Sequence, residues 1–458
     1  MTINRRRRLG ALATIASLAS VSFLAACGND DGGNSDSSGK VTITVEGWRP
    51  GDEQGTIDAV KKQAAAFTKA NPDIIVKPVE WEWSAETFAT QLAGDTLPTT
   101  FRVPFTDTKG LAERGQIADV TKYVNALPYA KEFNPSVLQA AQGTDGKIYG
   151  LPTDVYGVGL SYNRALFEQA GLDPDAPPTT WDEVRQDAKA IADATGQPGY
   201  VQMTSNNTGG WMLTTLTYAL GGRIESADGT QATVDNDATK QGLQMLHDMK
   251  WADDSMGSNT NFEWGTINEA FAAGKVGMYM SGSDVYNGLT TTNQVDPTTY
   301  GLAVLPLSDS GDAGILGGGS VAAVSAKASA AEQEAAVAWN DFYREKKNYD
   351  PDAAVADAEV LKASDQPIGT PTLPVFGEDT WQTVQDALAP YINVPRDQMT
   401  SFTDGVFGQS LIPEPASHTQ EVYGILDSVV QKVLTDEGAD IDSLLSDANE
   451  QAQQLLGG

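Results

Sequence analysis

Hydrophobic and polar positions along the chain predict strands and helices in alternation. The segment KVTITVEGW, at 40–48, alternates β-branched and polar residues and predicts a strand. In the following segment, TIDAVKKQAAAFTKANPD, the apolar residues have the spacing of one helix face: Ile57, Val60, Ala64 and Phe67. IIVKPVEWEW, at 74–83, predicts a second strand. A strand, a helix and a strand in this order favour a parallel βαβ unit within an α/β fold.

The same alternation continues through the middle of the chain. ETFATQLAGD and TTWDEVRQDAKAIADAT predict helices, the second with Thr180 as its N-cap and with Asp182 and Glu183 in its first turn. YGLPTDVYGVGLSYN, GYVQM, VGMYMSG and YGLAVLPL predict strands. From Ala326 onward the pattern is mainly helical and ends in EVYGILDSVVQKVLTD and DIDSLLSDANEQAQQLL. The chain is therefore predicted to mix strands and helices up to a helical C-terminal part.

The first 26 residues have the pattern of an export signal. Four arginines, at 5–8, precede a stretch without charge at 9–26. The stretch ends in Leu24-Ala25-Ala26-Cys27, which resembles the lipobox of bacterial lipoproteins, where the cysteine is acylated and becomes the mature N-terminus. A membrane-spanning anchor is the alternative, because a span needs about 20 apolar residues. The arginines are compatible with general secretion and with twin-arginine export.

A flexible linker is predicted to follow Cys27. The linker is assigned to 27–39, and after Cys27 it contains only Gly, Ser, Asn and Asp, at 28–39, a composition typical of flexible coil. Cys27 is the only cysteine, so the chain has no disulfide and no thiolate metal cluster. We expect the thiol to carry a lipid that holds the protein at the outer face of the cell membrane.

Length and charge narrow the class of protein. The 458 residues suffice for two substantial lobes, and 61 acidic against 30 basic residues give a formal net charge of −31. Nucleic acid is excluded as a partner, because its binding requires a basic surface. The charge indicates a soluble surface that resists self-association, and we expect a monomer.

Several ordered segments carry a family resemblance. YNRALFEQAGLDPDAPPTTWDEVRQDAKAI, AFTKANPDIIV, GLAERGQIADV, GKIYGLP, AFAAGKVGMYMSG and YGLAVLPL together resemble the extracellular solute-binding proteins of carbohydrate uptake, such as maltodextrin-binding proteins. Those proteins are receptors of bacterial ABC importers. The resemblance extends from Lys40 to the C-terminus.

The resemblance implies a two-lobed periplasmic-binding-protein-like α/β fold with a hinge and a central cleft. Lobe one would contain 40–152 and about 319–350, and lobe two about 153–318 and 351–458. A ligand would lie between the lobes, beyond the carboxyl ends of the strands. Closure of the lobes around it would be a hinge movement.

Aromatic residues are the first candidates for ligand contact, because sugar rings stack on planar side chains. The resemblance implies cleft positions for Phe105, Tyr156, Trp211 and Trp264. Trp48 and Trp83 are added because each lies at the end of a predicted strand. Each of the six has a core position as its alternative. Trp81 and Trp83 both lie at a strand end, and of the two Trp83 is the cleft candidate and Trp81 the core candidate. Trp181, Trp251, Trp339 and Trp381 are assigned to the core.

Polar and glycine candidates complete the predicted site. They are Glu53, Asp107, Asp154, Ser283, Asp284, Gly318 and Gly319. Asp107 has helix capping as its alternative role. The chain departs from the family pattern twice: Thr99 replaces an Asp, and Gly282-Ser283-Asp284 replaces Gly-x-Trp. The second departure removes a stacking ring and adds a carboxylate, which weakens any inference of maltodextrin specificity.

An enzymatic role has little support in the sequence. There are two histidines, His247 and His418, and no nucleophile or zinc-protease motif accompanies them. A glycosidase needs only two carboxylates, so 61 acids leave that hypothesis open. A metal site made of carboxylates alone also stays open. We predict a non-catalytic receptor without cofactor that delivers a carbohydrate to an ABC permease. An oligosaccharide is the preferred ligand. Receptors for a polyol or a glycerol-phosphate ester are the alternative within the class.

Overall fold

The structure is a computed structural model that describes residues 39–415 and 417–457. The arginine cluster, the lipobox-like segment with Cys27 and nearly all of the linker lie outside these residues, so the predictions about them rest on the sequence. No helix in the described part is long and apolar enough to span a membrane.

One sheet runs through the described residues. Its strands are Val41–Trp48 (β1), Ile74–Glu80 (β2), Thr100–Pro104 (β3), Gly150–Asn163 (β4), Met278–Gly282 (β5), Tyr300–Val304 (β6), Ile315–Val324 (β7) and Leu411–Pro413 (β8). The strand order is β2-β1-β3-β7-β4-β5, with β6 paired to β4 and β8 paired to β7. β1 is parallel to β2 and β3, whereas β7 is antiparallel to β3 and β4. The prediction of an α/β fold is confirmed.

Helices cover the sheet and form most of the C-terminal part. The α-helices in the described residues are Gln54–Ala70 (α1), Ala85–Ala93 (α2), Phe105–Glu113 (α3), Thr121–Val124 (α4), Pro135–Gln139 (α5), Arg164–Gln169 (α6), Trp181–Thr195 (α7), Thr208–Ala219 (α8), Asp237–His247 (α9), Trp264–Ala272 (α10), Val285–Thr291 (α11), Ala330–Asn340 (α12), Lys346–Tyr349 (α13), Pro351–Ala363 (α14), Glu378–Leu388 (α15), Thr400–Gly405 (α16), Thr419–Thr435 (α17) and Ile441–Leu456 (α18). A π-helical turn, Asp341–Glu345, joins α12 to α13.

The first βαβ unit forms as the apolar spacing predicts. Helix α1 buries Val60, Ala64 and Phe67. The Phe67 ring packs edge-on against Trp339 of α12, with 5.5 Å between ring centroids. Burial of a large apolar side chain such as Phe67 contributes about 1.5–3 kcal/mol to the free energy of folding. One buried face therefore suffices to hold α1 on the sheet, and its polar face remains in solvent.

Helix α7 begins with the predicted cap. The Glu183 backbone amide donates to the Thr180 hydroxyl at 3.2 Å, and the Thr180 amide donates back to the Glu183 carboxylate at 3.1 Å. This capping box satisfies two backbone donors at the helix end. Trp181, assigned to the core, is buried at the first helical position.

Strand β4 connects two parts of the sheet. Its first half, from Gly150 to Gly157, pairs with β7, and its second half, from Val158, pairs with β5 and β6. The register shifts between Thr153 and Tyr156, where Asp154 has a φ of 52°. Such an irregularity bends a strand and changes the direction of its side chains.

Two segments differ from a simple pattern of strands and lobes. GYVQM, predicted as a strand, forms only an isolated bridge between Tyr200 and Met278, so this prediction is wrong beyond that pair. The segment around α14 and α15 contacts two regions: Phe376 stacks on Phe133 at 4.8 Å, and the Thr370 hydroxyl donates to Asn287 at 2.6 Å. The lobe boundaries stay predictions.

Candidate functional site

Tyr156 lies flat against a glycine of the neighbouring strand. β4 and β7 pair Tyr156 with Gly318, and a Cβ on Gly318 would lie 2.5 Å from the Tyr156 hydroxyl oxygen. Only a residue without a side chain permits so close an approach. The ring position is therefore fixed by the sequence of β7 as well as by its own strand.

Two carboxylates are brought to Tyr156 by the ends of other strands. The Ser283 amide donates to the Gly157 carbonyl at 3.0 Å, and Asp284 follows immediately after it. On the other side, the parallel register pairs Gly317 with Pro413, so Glu414 follows β8 next to Gly318. The residues that follow two strand ends, those of β5 and β8, thus converge on one tyrosine within β4.

Trp211 is placed by the first turn of α8, which is held by a distant helix. The backbone amides of Asn207 and Gly210 both donate to the Asp427 carboxylate of α17 at 2.7 Å. A carboxylate at a helix N-terminus satisfies free amides and complements the helix dipole. Gly210 also allows close packing, because a Cβ there would lie 2.3 Å from the Tyr423 carbonyl oxygen.

The indole of Trp211 packs against a second predicted aromatic. Its ring and that of Trp264, the first residue of α10, are 5.1 Å apart in an edge-to-face arrangement. Trp211 is 8% exposed, whereas Trp264 is only partly buried. Such aromatic pairs contribute about 0.5–1.5 kcal/mol beyond their buried area. Trp264 accordingly offers more ring surface to a ligand than Trp211 does.

Tyr156, Trp211, Asp284 and Glu414 are called here the front cluster. A Cβ on Gly282 would lie 2.6 Å from the Asp284 carboxylate and 3.6 Å from the Tyr156 ring. Burial raises the pKa of the Glu414 carboxyl to about 7, while the side chains of Trp211 and Tyr423 act in the opposite direction. Burial also raises the pKa of Asp284. The pKa of the Tyr156 hydroxyl is raised by burial and then by the charges of Glu414 and Asp284, whereas Trp211 lowers it.

The front cluster is acidic and contains no counter-ion. Among the described residues, neither Asp284 nor Glu414 forms an ion pair with a base. Ionised carboxylates only accept hydrogen bonds, so they suit a partner that presents donors such as hydroxyl groups. Charge-assisted hydrogen bonds of this kind are roughly twice as strong as neutral ones.

Other predicted residues take neighbouring or separate positions. Phe105 reaches the crossing strands, because a Cβ on Gly319 would lie 2.8 Å from its ring. Asp107 lies in the first turn of α3, makes no cap hydrogen bond and has its pKa raised by burial. The Ser283 hydroxyl is buried and has no hydrogen-bond partner within the described part of the chain.

The candidates at the β1 end of the sheet are not brought to the front cluster by any described contact. Lys61 lies over the Trp48 ring at 5.1 Å, and Glu53 is the exposed N-cap residue of α1. Trp83 packs on Phe88 with centroids 5.0 Å apart. Asp154 accepts a hydrogen bond from the Arg102 guanidinium at 2.7 Å. Their ligand roles stay predictions.

Glu414 is the residue that the sequence analysis missed. It lies between two prolines in the segment LIPEPAS, after a strand of only three residues. A charged residue directly after an apolar strand is the signal that could have identified it, by the same carboxyl-end rule that selected Trp48. For metals, the described residues contain no group of three or more His, Cys, Asp or Glu side chains arranged to hold an ion.

Comparison with known proteins identifies the family. The model of the bacterial extracellular solute-binding protein family matches residues 62–356. The chain belongs to this family. A binding protein of Brucella abortus is 27% identical over 318 residues, which cover 66% of this chain and 70% of that protein. The diacetylchitobiose binding protein of Streptomyces coelicolor is 27% identical over 208 residues, covering 43% of this chain and 45% of that protein.

Solved structures confirm the two-lobed fold. The cyclic alpha-maltosyl-1,6-maltose binding protein of Arthrobacter globiformis superposes with a TM-score of 0.68 at 23% identity, covering 92% of this chain and all of that one. The sugar-binding protein MalE of Xanthomonas citri superposes with a TM-score of 0.70 at 18% identity, covering 91% of this chain and 97% of that one. At these identities the likeness concerns the fold alone. The family and these neighbours are binding proteins.

Proposed function

We propose that the protein is a receptor that binds a carbohydrate between its lobes, at the front cluster, and delivers it to an ABC import permease. The observation that carries this proposal is the convergence on Tyr156, within β4, of Asp284 and Glu414, which follow the ends of β5 and β8. Carboxylates accept hydrogen bonds from sugar hydroxyls, and Trp264 beside the cluster has partly exposed ring surface for stacking. Relatives that bind cyclic maltosyl-maltose and diacetylchitobiose support a carbohydrate ligand.

The charge of the cluster selects between the candidate solutes. The front cluster offers a phosphate group no basic partner among the described residues, and its two acidic side chains would have to bind a dianion in their protonated forms, so a glycerol-phosphate ester is disfavoured at this position. A neutral ligand rich in hydroxyl groups fits better. A polyol satisfies the same acceptors but offers no ring face to Trp264.

Calorimetric titration with mono- and oligosaccharides, ribitol and glycerol phosphate tests the assignment. We expect saturable binding of at least one neutral sugar and none of glycerol phosphate. Asp284→Asn and Glu414→Gln should each weaken that binding about tenfold or more, because a hydrogen bond to a charged group contributes about 1.5–3 kcal/mol. Asp187→Asn, on helix α7, is the matched control. Wild-type affinity in the double variant would refute the front cluster as the site.

The absence of catalysis is part of the proposal. After incubation with the bound sugar, mass spectrometry should recover it unchanged. Release of new reducing ends would instead support a secreted glycosidase.

The lipid anchor is proposed from the sequence. The Cys27 sulfur would be acylated and Cys27 would become the mature N-terminus on removal of residues 1–26, and residues 27–39 would hold the folded part at the outer face of the membrane as a monomer. Two or more acyl chains hold a protein stably where a single one does not. Cys27→Ala should release the protein into the medium or periplasm, and membrane retention of this variant would contradict the anchor.

A further inference from the structure

A second cavity lies on the opposite side of strand β4 from Tyr156. Its volume is about 900 Å³, and its walls include Val155 and Leu373. A Cβ on Gly157 would lie 3.4 Å from the Leu373 Cβ, whereas Tyr156 turns to Gly318. From Val155 to Gly157 the side-chain directions alternate, after the irregularity at Asp154, and this places Tyr156 on the opposite side from the cavity. We call this cavity the rear groove; it is bounded by β4, the Asp341–Glu345 turn, α14, α15 and residues 368–376.

The rear groove is basic in a protein that is otherwise acidic. Four bases line it, Arg344, Lys346, Lys347 and Arg396, against two acids, Asp154 and Asp357. Both acids are already paired, Asp154 with Arg102 at 2.7 Å and Asp357 with Lys347 at 3.4 Å. Lys346 is paired with Asp350 at 3.5 Å. The two arginines are left without an acidic partner in the described part of the chain.

Arg344 is the less satisfied of the two arginines. Its guanidinium donates no hydrogen bond to any described residue, and it lies 5.3 Å from the Tyr343 ring centroid. Burial lowers its pKa, and the positive charge of Arg102 lowers it further. The adjacent Glu345 does not compensate, because burial raises the pKa of that carboxyl to about 8 and leaves it mainly protonated at neutral pH. The carboxylates of Glu46 and Asp154 act on the pKa of Arg344 in the opposite direction, but both are ion-paired with Arg102. A buried charge that is compensated only in part is costly unless a ligand pairs with it.

Arg396 is fixed in place but also lacks an anion. One of its guanidinium nitrogens donates to Gln385 at 2.5 Å, and the group lies 5.6 Å from the Trp381 ring centroid. Burial lowers its pKa as well. Stacking and a single hydrogen bond leave most of its five N–H donors available. Trp381 and Leu373 supply apolar wall beside it.

We propose that the rear groove is a second ligand site, which binds a small organic anion through Arg344 and Arg396 and packs the carbon skeleton of that anion against Trp381 and Leu373. Carboxylates and phosphates both match the planar fork of a guanidinium. The volume lies in the range of small-molecule sites. The front cluster, with two carboxylates, has the opposite preference, so one compound does not suit both sites.

Calorimetry with benzoate and phenyl phosphate at constant ionic strength tests the proposal, with benzyl alcohol and inorganic phosphate as comparison probes. We expect one molecule of each organic anion to bind per chain, with no saturable binding of benzyl alcohol and weaker binding of inorganic phosphate. Arg344→Met and Arg396→Met should each weaken binding of the organic anions at least tenfold. Arg344→Lys should give a partial loss, because it keeps the charge and loses the fork.

Arg114→Met is the matched control, because Arg114 is exposed and does not line the groove. Circular dichroism verifies the fold of each variant, and Arg344→Lys and Arg396→Met keep the test valid if Arg344→Met does not fold. Three results would overturn the proposal: no binding of either organic anion, equal binding in folded Arg344 and Arg396 variants, or equal binding of benzyl alcohol.

Discussion

The front cluster and the rear groove lie on opposite sides of strand β4 and differ in the charge of the side chains that line them. Tyr156 on one side is flanked by Asp284 and Glu414, without a base. On the other side Arg344 and Arg396 form no ion pair with any described residue, although acids outnumber bases 61 to 30 in the sequence. Net charge therefore predicts the surface as a whole and not the chemistry of a particular site. The difference suggests that the two faces of one strand that crosses between the lobes can contribute to two sites, one for a neutral sugar and one for an organic anion.

Removal of the two tryptophans should separate the sites most clearly. Trp211→Ala takes a nearly buried ring from the front and should lower the free energy of unfolding by about 3 kcal/mol as well as abolish sugar binding. Trp381→Ala, at the partly exposed ring of the rear groove, should reduce anion binding and spare sugar binding. Denaturant titration and calorimetry on both variants measure this. Loss of both ligands in a folded single variant would show that the sites are not independent.

Gly318→Ala tests the position of Tyr156 by steric means. The added methyl group would displace the tyrosine ring, so we expect sugar affinity to fall at least tenfold and stability to fall by about 1–3 kcal/mol. The control is Gly311→Ala, since a Cβ there meets no atom within 4 Å. Anion binding should be retained. An unaltered sugar affinity would mean that the ring does not contact the ligand.

The pH dependence of stability should report the burial of Glu414. Its pKa of about 7 in the folded state exceeds the ordinary value of 4.5, so the protonated form is favoured by folding. Its contribution is full below about pH 4.5 and is lost as pH rises to about 7. Tyr156, Tyr218 and Tyr423 surround it and stay protonated in that range.

Glu414→Gln should therefore flatten the decline in the free energy of unfolding between pH 5 and 7, measured by denaturant titration. The residual slope in this variant comes from groups such as Glu345, whose pKa is about 8. Parallel curves for wild type and variant would indicate that Glu414 is solvated.

Asp154→Asn should have the smallest effect and sharpen the assignment of this residue. The carboxylate is 51% exposed and pairs with Arg102, so the loss in stability should be under about 1 kcal/mol. Because an acid is removed from the wall of the rear groove, anion affinity should rise about twofold. A tenfold loss of sugar affinity would instead return Asp154 to the ligand site between the lobes.

The sequence predicts the elements that depend on local pattern. The spacing of Val60, Ala64 and Phe67 identifies α1, and Thr180 with Glu183 marks the start of α7, because each pattern lies within a few turns. Tyr156, Trp211 and Asp284 follow from resemblance to a family, and the structure places them together. GYVQM does not form a strand, although its composition is typical of one, because only Tyr200 pairs with another strand residue, Met278.

The remaining residues depend on tertiary contacts that local pattern does not encode. Glu414 follows a three-residue strand, too short for a clear periodic signal, and its neighbour Tyr156 is far along the chain. The basic character of the rear groove is equally hidden, because it results from which acids find partners. Arg344 is distinguished from an exposed arginine such as Arg49 by its burial without an ion pair to any described residue, which only the folded protein shows.

The hydrogen bonds from Asn207 and Gly210 to Asp427 have a consequence for biogenesis. The first turn of α8, which carries Trp211, is clamped by a residue 217 positions downstream of Gly210. A nascent or translocating polypeptide that still lacks α17 cannot form these two hydrogen bonds, so its first turn of α8 is not yet fixed. The ability to bind ligand should therefore be acquired late, after α17 and α18 have been synthesised. A protein truncated before Asp427 should keep its earlier strands but should not bind ligand.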